Sequence, residues 1–378
     1  DFFVGGAFSQ FSVFMLGVMP YISTQIIMQL LLIVFPSFKR SIQEDGGQQK
    51  MAAWTRIGTI FVCLLQSYAV TVYAKNIGVI SLNNEVAFKF LTMLTVTTGS
   101  MITVWLGDQI TARGIGNGIS ILIFAGIVAR IPMAISRMYN QVINGFNFLF
   151  VIVAIVIFVV VVALVVFEEG GQRKIPVNYA KRVVGRKMYG GTSTYIPFKV
   201  NPSNVIPLIF ASSFLALPSQ IVQSVAVNPE SAKWIQTLSR VLNQNGLIYN
   251  IVLVVLIIFF AYFYTQVTLN PTEIAKQVRE NGGSIPTVRA EKTEEYLQKI
   301  LNRLVLPGSL FLALVAVLPT IIVRILKFPQ EVASLMGGTS IIIMVGVATD
   351  TMAQIEALLK MHHQDGFVKK GKIRSRSL

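Results

Sequence analysis

The side chains that could do covalent or metal chemistry are few and badly placed for it. There is one cysteine, Cys63, and there are two histidines, His362 and His363, side by side. A thiolate nucleophile needs a base within hydrogen-bond reach. Cys63 lies inside the apolar run 53–74, whereas both histidines lie in a polar tail, so no such pair is set up. A single cysteine allows no disulfide within the chain, and this set cannot make a tetrahedral zinc site. Arg113-Gly-Ile-Gly-Asn-Gly118 has the glycines of a phosphate loop. It follows an apolar helix-length run instead of a strand and lacks Gly-Lys-Ser/Thr, so it reads as a tight turn that returns the chain into a membrane. Carboxylates within the apolar runs are Asp108, Asp350 and Glu356, all close to run ends. A cation-coupled transporter places ionisable groups near mid-membrane. No catalytic residue, cofactor or metal is expected, and Asp350 reads as an interfacial carboxylate with a basic neighbour.

What the apolar runs do carry is uncharged. Gln25, Gln29, Thr97, Thr98, Asn117, Gln220, Gln223 and Gln266 sit within or beside them. Singly, each reads as hydrogen-bonding glue between helices. Together they suggest a wet interior, or a seam between helices that can open. Branched aliphatics recur near the starts of runs: Val18, Ile22, Ile119, Ile123, Ile209 and Ile343. Val18 and Ile22, like Ile119 and Ile123, are four residues apart and share a helix face. Spacing alone favours ordinary packing or lipid contact. The sharper alternative is a constriction that excludes ions by dewetting.

The elements that must hold these residues are membrane spans. The chain of 378 residues is 53% hydrophobic and 13% charged. Its apolar residues come in blocks of about 20, the length that crosses a ~30 Å hydrocarbon core as helix. Nine spans are expected, at 13–35, 53–74, 87–107, 117–136, 148–167, 204–223, 248–268, 304–323 and 334–358. With alternating connections, 24 of the 32 Lys and Arg fall on one side and 8 on the other. That bias makes the rich side cytoplasmic, the C-terminus included. It also accounts for a net charge of +15 without invoking nucleic acid as the reason.

The spans suggest two related halves. Val18-Met-Pro-Tyr-Ile22 is echoed by Val205-Ile-Pro-Leu-Ile209. Paired, proline-interrupted segments point to a pathway between halves. An odd number of spans leaves the ends on opposite sides, so an even architecture calls for one more helix before Asp1. Two cytoplasmic loops are long. Within 168–203, strand-like stretches Ile175–Tyr179 and Gly191–Val200 flank a basic tip at Lys181–Lys187, which predicts a hairpin. Within 270–303, Asn270-Pro271 stops a helix, and a new helix is expected from about Thr293.

Several long stretches carry a family resemblance. LGVMPYISTQIIMQLL, WLGDQITARGIGNGISILIFAGIVARIP, GQRKIPVNYAKR, IPFKVN, NVIPLIFASS, NPTEIAKQ and GGTSIIIMVG are similar to the bacterial SecY family of protein-conducting channel subunits. The resemblance covers nearly the whole chain. It implies an all-α polytopic membrane protein, a two-half inverted-repeat helix bundle with nine of ten transmembrane helices present. Residues 1–12 would be the end of a plug and its link, 13–147 helices two to five, 148–358 helices six to ten, and 359–378 a basic tail.

Roles follow by position. The resemblance puts the pore ring on Val18, Ile22, Ile119, Ile123, Ile209 and Ile343. It puts the plug and hinge on Phe2, Phe3, Val4, Gly5 and Gly6. A lateral gate opening to lipid would lie where 13–35 and 53–74 face 204–223 and 248–268, with Gln25, Gln29, Ser212, Ser213 and Gln220 along it. Lys181, Arg182, Arg186, Lys187, Arg289 and Lys292 resemble surfaces that receive a ribosome, with its ribosomal RNA, or the SecA motor ATPase. SecE-like and SecG-like small subunits, signal sequences, nascent chains and membrane lipid are the other implied partners, in a bacterial plasma membrane. The family often reads Ile-Pro-Gly-Ile-Arg-Pro-Gly-Lys before the ninth helix. Here Ile285-Pro-Thr-Val-Arg-Ala-Glu-Lys292 keeps Pro286, Arg289 and Lys292 but not the glycines or second proline. The competing function is a secondary transporter for a small solute, which would need a mid-membrane charged constellation. An intramembrane enzyme would need a nucleophile and base inside the spans.

Overall fold

A chain in lipid must satisfy its backbone groups within each segment, which leaves helix as the form for long apolar runs. The computed structural model describes residues 12–35, 47–77, 85–143, 148–179, 182–184, 187–189, 193–226, 233–243, 246–286, 288–326 and 337–367. Its helices are α1 Met19–Val34, α2 Gly47–Ile77, α3 Glu85–Arg113, α4 Gly118–Val128, α5 Ile131–Ile143, α6 Phe148–Gly170, α7 Ile206–Ala226, α8 Lys233–Val241, α9 Leu247–Thr268, α10 Pro271–Glu280, α11 Thr293–Leu326 and α12 Gly338–Phe367. Among the described residues, seven helical stretches are long and apolar enough to cross a membrane, with α4 and α5 counted together as Gly118–Asn140.

The two expected spans outside that seven are α1 and α7, whose apolar stretches Met19–Leu32 and Ile206–Ala216 are shorter. Residues 13–18 form turns, and Pro20 stands in the first turn of α1, where its missing N–H costs no hydrogen bond. The 16 residues of α1 rise only about 24 Å. A helix that short is sustained by neighbours instead of lipid, and Val18, Ile22, Ser23, Thr24 and Ile26 are indeed buried. The outside belongs to the greasiest helix. Along α6, Ile155, Val156, Val159 and Phe167 are 54%, 55%, 58% and 83% exposed. Lipid is as apolar as these side chains, so nothing drives them inward.

One expected span is interrupted, and another is continuous with the helix expected from about Thr293. The span at 117–136 is broken: α4 ends at Val128, Ala129 and Arg130 turn, and α5 begins at Ile131. Pro132 has no N–H to donate to the Val128 carbonyl, which ends the helical ladder there. The span at 304–323 is part of a single helix of 34 residues that begins at Thr293 and runs through Pro307 and Pro319. Glu294 and Glu295 sit in its first turn, where the helix dipole favours negative charge.

Helix packing closes a circuit. α1 packs on α2, α2 on α3, α3 on α4, α4 on α12, α12 on α11, α11 on α9, α9 on α7, and α7 back on both α1 and α2. α6 leans on α12 from outside the circuit. The turn into α4 shows how tightly it is drawn. Gly116 takes φ +87°, and a Cβ on Gly118 would lie 2.0 Å from the Gly107 carbonyl oxygen of α3. Thr111 Oγ1 accepts the Gly118 N–H at 2.8 Å, and Asn117 Oδ1 accepts from Ile119 and Ser120 N–H groups at 3.1 and 3.3 Å. Arg113–Gly118 is thus the tight turn its glycines suggested.

The two long loops form one body. β1 Gln172–Tyr179 pairs antiparallel with β4 Ser193–Lys199, in register from Gln172↔Lys199 to Asn178↔Ser193. β2 Arg182–Val184 and β3 Lys187–Tyr189 pair near the tip. β5 Gly283–Ser284, from the other loop, joins the free edge of β1. Ile175, Val177 and Phe198 bury against Ala275 and Val278 of α10 and Leu297 and Leu301 of α11. Asn270 ends the run before it and caps α10, its Oδ1 accepting the Thr272 N–H at 3.2 Å.

Gly118→Ala should cost about 1–3 kcal/mol through overpacking against a carbonyl that cannot move aside. Thermal unfolding of the purified protein in detergent should show a lowered midpoint.

Candidate functional site

Four well-separated segments of the chain meet in one buried apolar cluster. Val18 and Ile22 come from the start of α1, Ile123 from α4, Ile209 from α7 and Ile343 from α12. Their exposures are 2%, 4%, 2%, 8% and 1%, and Ile119 packs against them half-buried. Each lies in the first turns of its helix. Ile22 N–H donates to the Val18 carbonyl at 3.1 Å, so those two side chains stack one turn apart on one face. Spacing in the sequence showed the two i, i+4 pairs. That all six fall within one large apolar cluster is a fact of the fold.

The expected seam residues lie on helices that pack. Gln25 and Gln29 are half-buried on α1. Ser213 of α7 is fully buried, its Oγ 4.0 Å from Met19 Sδ of α1. Ser212 Oγ turns back to donate to the Ile209 carbonyl at 3.0 Å. The side chains of Gln220 and Gln223 lie outside the described residues. Among the described residues, Gln29 Oε1, Thr97 Oγ1 and Gln66 Oε1 are buried without a protein hydrogen-bond partner, while buried Ser100 hydrogen-bonds Cys63. A buried polar group left unpaired costs about 1–3 kcal/mol. Gln66 and Ser100 escaped the sequence reading. The signal was there for Gln66: Thr55, Thr59, Cys63, Gln66, Val70 and Ala74 recur at spacings of three and four, and all are buried along one face of α2.

Each carboxylate noted near a run end is paired. Asp108 lies 2.7 Å from Arg56, Asp350 3.2 Å from Lys199 and Glu356 3.9 Å from Lys360. Among the described residues no group of three His, Cys, Asp or Glu could hold a metal ion.

The basic residues divide. Arg289 and Lys292 are exposed. Ala290–Lys292, where the resembling family has Pro-Gly-Lys, form a 3-10 turn that leads straight into α11. Arg182 and Lys187 lie in β2 and β3, and their side chains are outside the described residues, as are Lys181 and Arg186 entirely. Because β5 pairs with β1, the Arg289 loop and the hairpin belong to the same small body. Phe2, Phe3, Val4, Gly5 and Gly6 also lie outside the described residues.

Gln66→Leu removes an unpaired buried carbonyl at nearly constant volume. It should stabilise the packed seam by about 1 kcal/mol or more and raise the unfolding midpoint in detergent. A lowered midpoint would show that the amide is satisfied.

Comparison with known proteins places these features in company. The SecY family profile matches residues 12–352. The protein translocase subunit SecY of Borreliella burgdorferi is 42% identical over 364 residues, covering 95% of this chain and 82% of that protein. The subunit of the same description from Thermotoga maritima is 41% identical over 381 residues, covering 100% of this chain and 85% of its own. Among solved structures, a study of the plug domain of SecY gives a TM-score of 0.65 at 22% identity, over 91% of this chain and 82% of that one. Sec61 in a canine ribosome-channel complex gives 0.59 at 20% identity, over 91% and 81%. At those identities the structures speak for the fold.

Proposed function

The chain belongs to the SecY family, and on that premise we propose that its buried aliphatic cluster is the seal of a channel through which unfolded polypeptides cross a membrane. The chain is a multi-pass membrane protein and a protein translocase subunit, not an enzyme. Energy for movement therefore enters from outside it. The observation that carries the reading is that Val18, Ile22, Ile123, Ile209 and Ile343 share one buried apolar cluster, with Ile119 packed on it, inside a closed circuit of helices. Aliphatic groups offer water and ions no hydrogen bonds, so a narrow ring of them stays dry. The same groups part for any side chain without recognising it. Residues 1–12 fill the resting channel as the end of a plug.

The two halves are 13–147 and 148–358. They meet where α1 and α2 pack on α7, and again where α4 packs on α12. The first contact, with α9 beside it, is the lateral gate, through which signal sequences and transmembrane segments leave for lipid. Gln25, Gln29, Ser212, Ser213 and Gln220 lie along it. Unpaired polar groups keep its closed state only marginally favoured, and an apolar segment entering the gate shifts the balance. The Lys and Arg bias sets the hairpin and C-terminus in the cytoplasm of a bacterial cell, with the chain in the plasma membrane.

On that face Lys181, Arg182, Arg186, Lys187, Arg289 and Lys292 form a docking surface for the ribosome or a SecA-type motor ATPase. Ribosomal RNA supplies the phosphate charge that such a surface attracts. Sec61 is seen in a ribosome-channel complex, and the shared fold supports the same use here. SecE-like and SecG-like small subunits complete the complex.

Ile119→Asn combined with Ile209→Asn should raise the resting ion conductance of reconstituted channels in planar bilayers several-fold. Unchanged conductance would remove the cluster from the seal. Reversing charge at Arg182, Arg186 and Arg289 should weaken ribosome co-sedimentation about tenfold or more at low salt, with the difference shrinking as salt rises. The unfolding midpoint should stay where it was. Undiminished ribosome binding would rule these loops out as the docking surface.

A further inference from the structure

Between Lys199, the last residue of the hairpin, and Ile206, the first of α7, the chain makes a turn built from polar contacts. Asn201 Nδ2 donates to the Asn204 carbonyl at 3.1 Å, and Ser203 Oγ donates to Asn201 Oδ1 at 3.0 Å. Asn204 takes φ +54°, and its Oδ1 accepts the Val205 N–H at 2.8 Å. Asn201 and Ser203 are each 1% exposed. The turn sits in a socket. A Cβ on Gly346 of α12 would lie 2.1 Å from Val205 Cγ2, and one on Gly308 of α11 would lie 3.1 Å from the Val200 carbonyl oxygen. Missing side chains at those two points let the turn close on both helices.

Charge then fixes the turn from either end. Lys199 Nζ lies 3.2 Å from Asp350 Oδ1 of α12 and 3.8 Å from Glu169 Oε2 of α6. Asn204 Nδ2 donates to the other oxygen of Asp350. The Glu169 side chain is 2% exposed, so loss of the Lys199 cation would strand a buried carboxylate. Asp350 lies seven residues after Ile343, two turns along the same face of α12. On α7, Ile209 N–H donates to the carbonyl of Val205, the residue after Asn204, at 3.2 Å. The contacts at Asp350 are thus one or two helical turns from two members of the aliphatic cluster.

We propose that Lys199, Asp350 and Asn204 are positioning residues that latch the hairpin, α7 and α12 into one moving unit, so that a partner gripping the hairpin displaces Ile209 and Ile343 together. This rests on the readings of the hairpin as a docking surface and of the cluster as a seal. Val18, Ile22, Ile119 and Ile123 belong to elements outside the unit. The seal therefore parts along the line between the two sets instead of widening evenly. Binding at the hairpin and opening at the cluster then share one coupling free energy.

Spin labels at Thr194→Cys in β4 and Leu359→Cys in α12, in a Cys63→Ala background, read the latch without any partner. The distance distribution should be narrow in the parent and with Lys199→Arg. It should broaden at least twofold with Lys199→Met plus Asp350→Ala, and with Asn204→Gly, which keeps the positive φ and removes the hydrogen bond. Widths that stay unchanged in both variants overturn the proposal. A second arm adds purified ribosomes to reconstituted channels. Asn204→Gly and Asp350→Asn should keep ribosome co-sedimentation within twofold while the ribosome-induced change in conductance falls about fivefold or more. A full conductance response in those variants also overturns it. Should ribosomes fail to bind the parent, the docking reading falls, and the spin-label widths still decide whether the latch exists.

Discussion

A bilayer gives greasy helices no reason to cluster, because lipid solvates them as well as they solvate one another. Everything specific about this molecule follows from how it gathers helices under that constraint. Shape supplies part of the answer: Gly118 and Gly346 let backbones and side chains approach where any side chain would stand in the way. Polar contacts at helix ends supply more, from the Gly118 N–H of α4 donating to Thr111 of α3 to Asn204 before α7 donating to Asp350 of α12. The aliphatic cluster is then a product of the surrounding grip. Its residues are held together by the circuit of helices, and little in their own chemistry resists their being drawn apart.

This view explains an inversion in the fold. The most continuous apolar helix, α6, lies outside the circuit, while α1 and α7, whose apolar stretches are short, lie within it. A helix facing lipid must be long and greasy along its whole length. A helix enclosed by others is free of that demand and can carry Pro20, Gln25, Gln29, Ser213 and Pro218. Those residues would be a burden in lipid. Within the circuit they set how firmly neighbouring helices hold one another.

Much of this was legible before any coordinates. Hydropathy marked the helices, and the strand-like flanks of residues 181–187 gave the hairpin. The glycine-rich turn at residues 113–118 was separable from a nucleotide loop because no strand preceded it. Local rules missed one break. Pro132 ended a helix that hydropathy ran through, whereas the helix expected across Pro307 and Pro319 did continue. The difference is tertiary: α11 is held on one side by α10 and the buried face of the hairpin, and on another by α9. Convergence of Ile123 with Ile343 was out of reach for a related reason. Residues more than two hundred positions apart share one cluster only when the circuit closes, and no periodicity within one helix reports that.

One consequence of α11 lies in its length. Its 34 residues make a rod of about 51 Å that begins beside the loop bearing Arg289 and is longer than a ~30 Å hydrocarbon core. A rod pivoting near its middle through about 5° swings each tip by roughly 2 Å, in opposite directions. A nudge to the soluble end is therefore carried to the other end with its sign reversed, less what bending absorbs. Pro307 and Pro319, each lacking a rung of the ladder, are the places where such a beam would flex first.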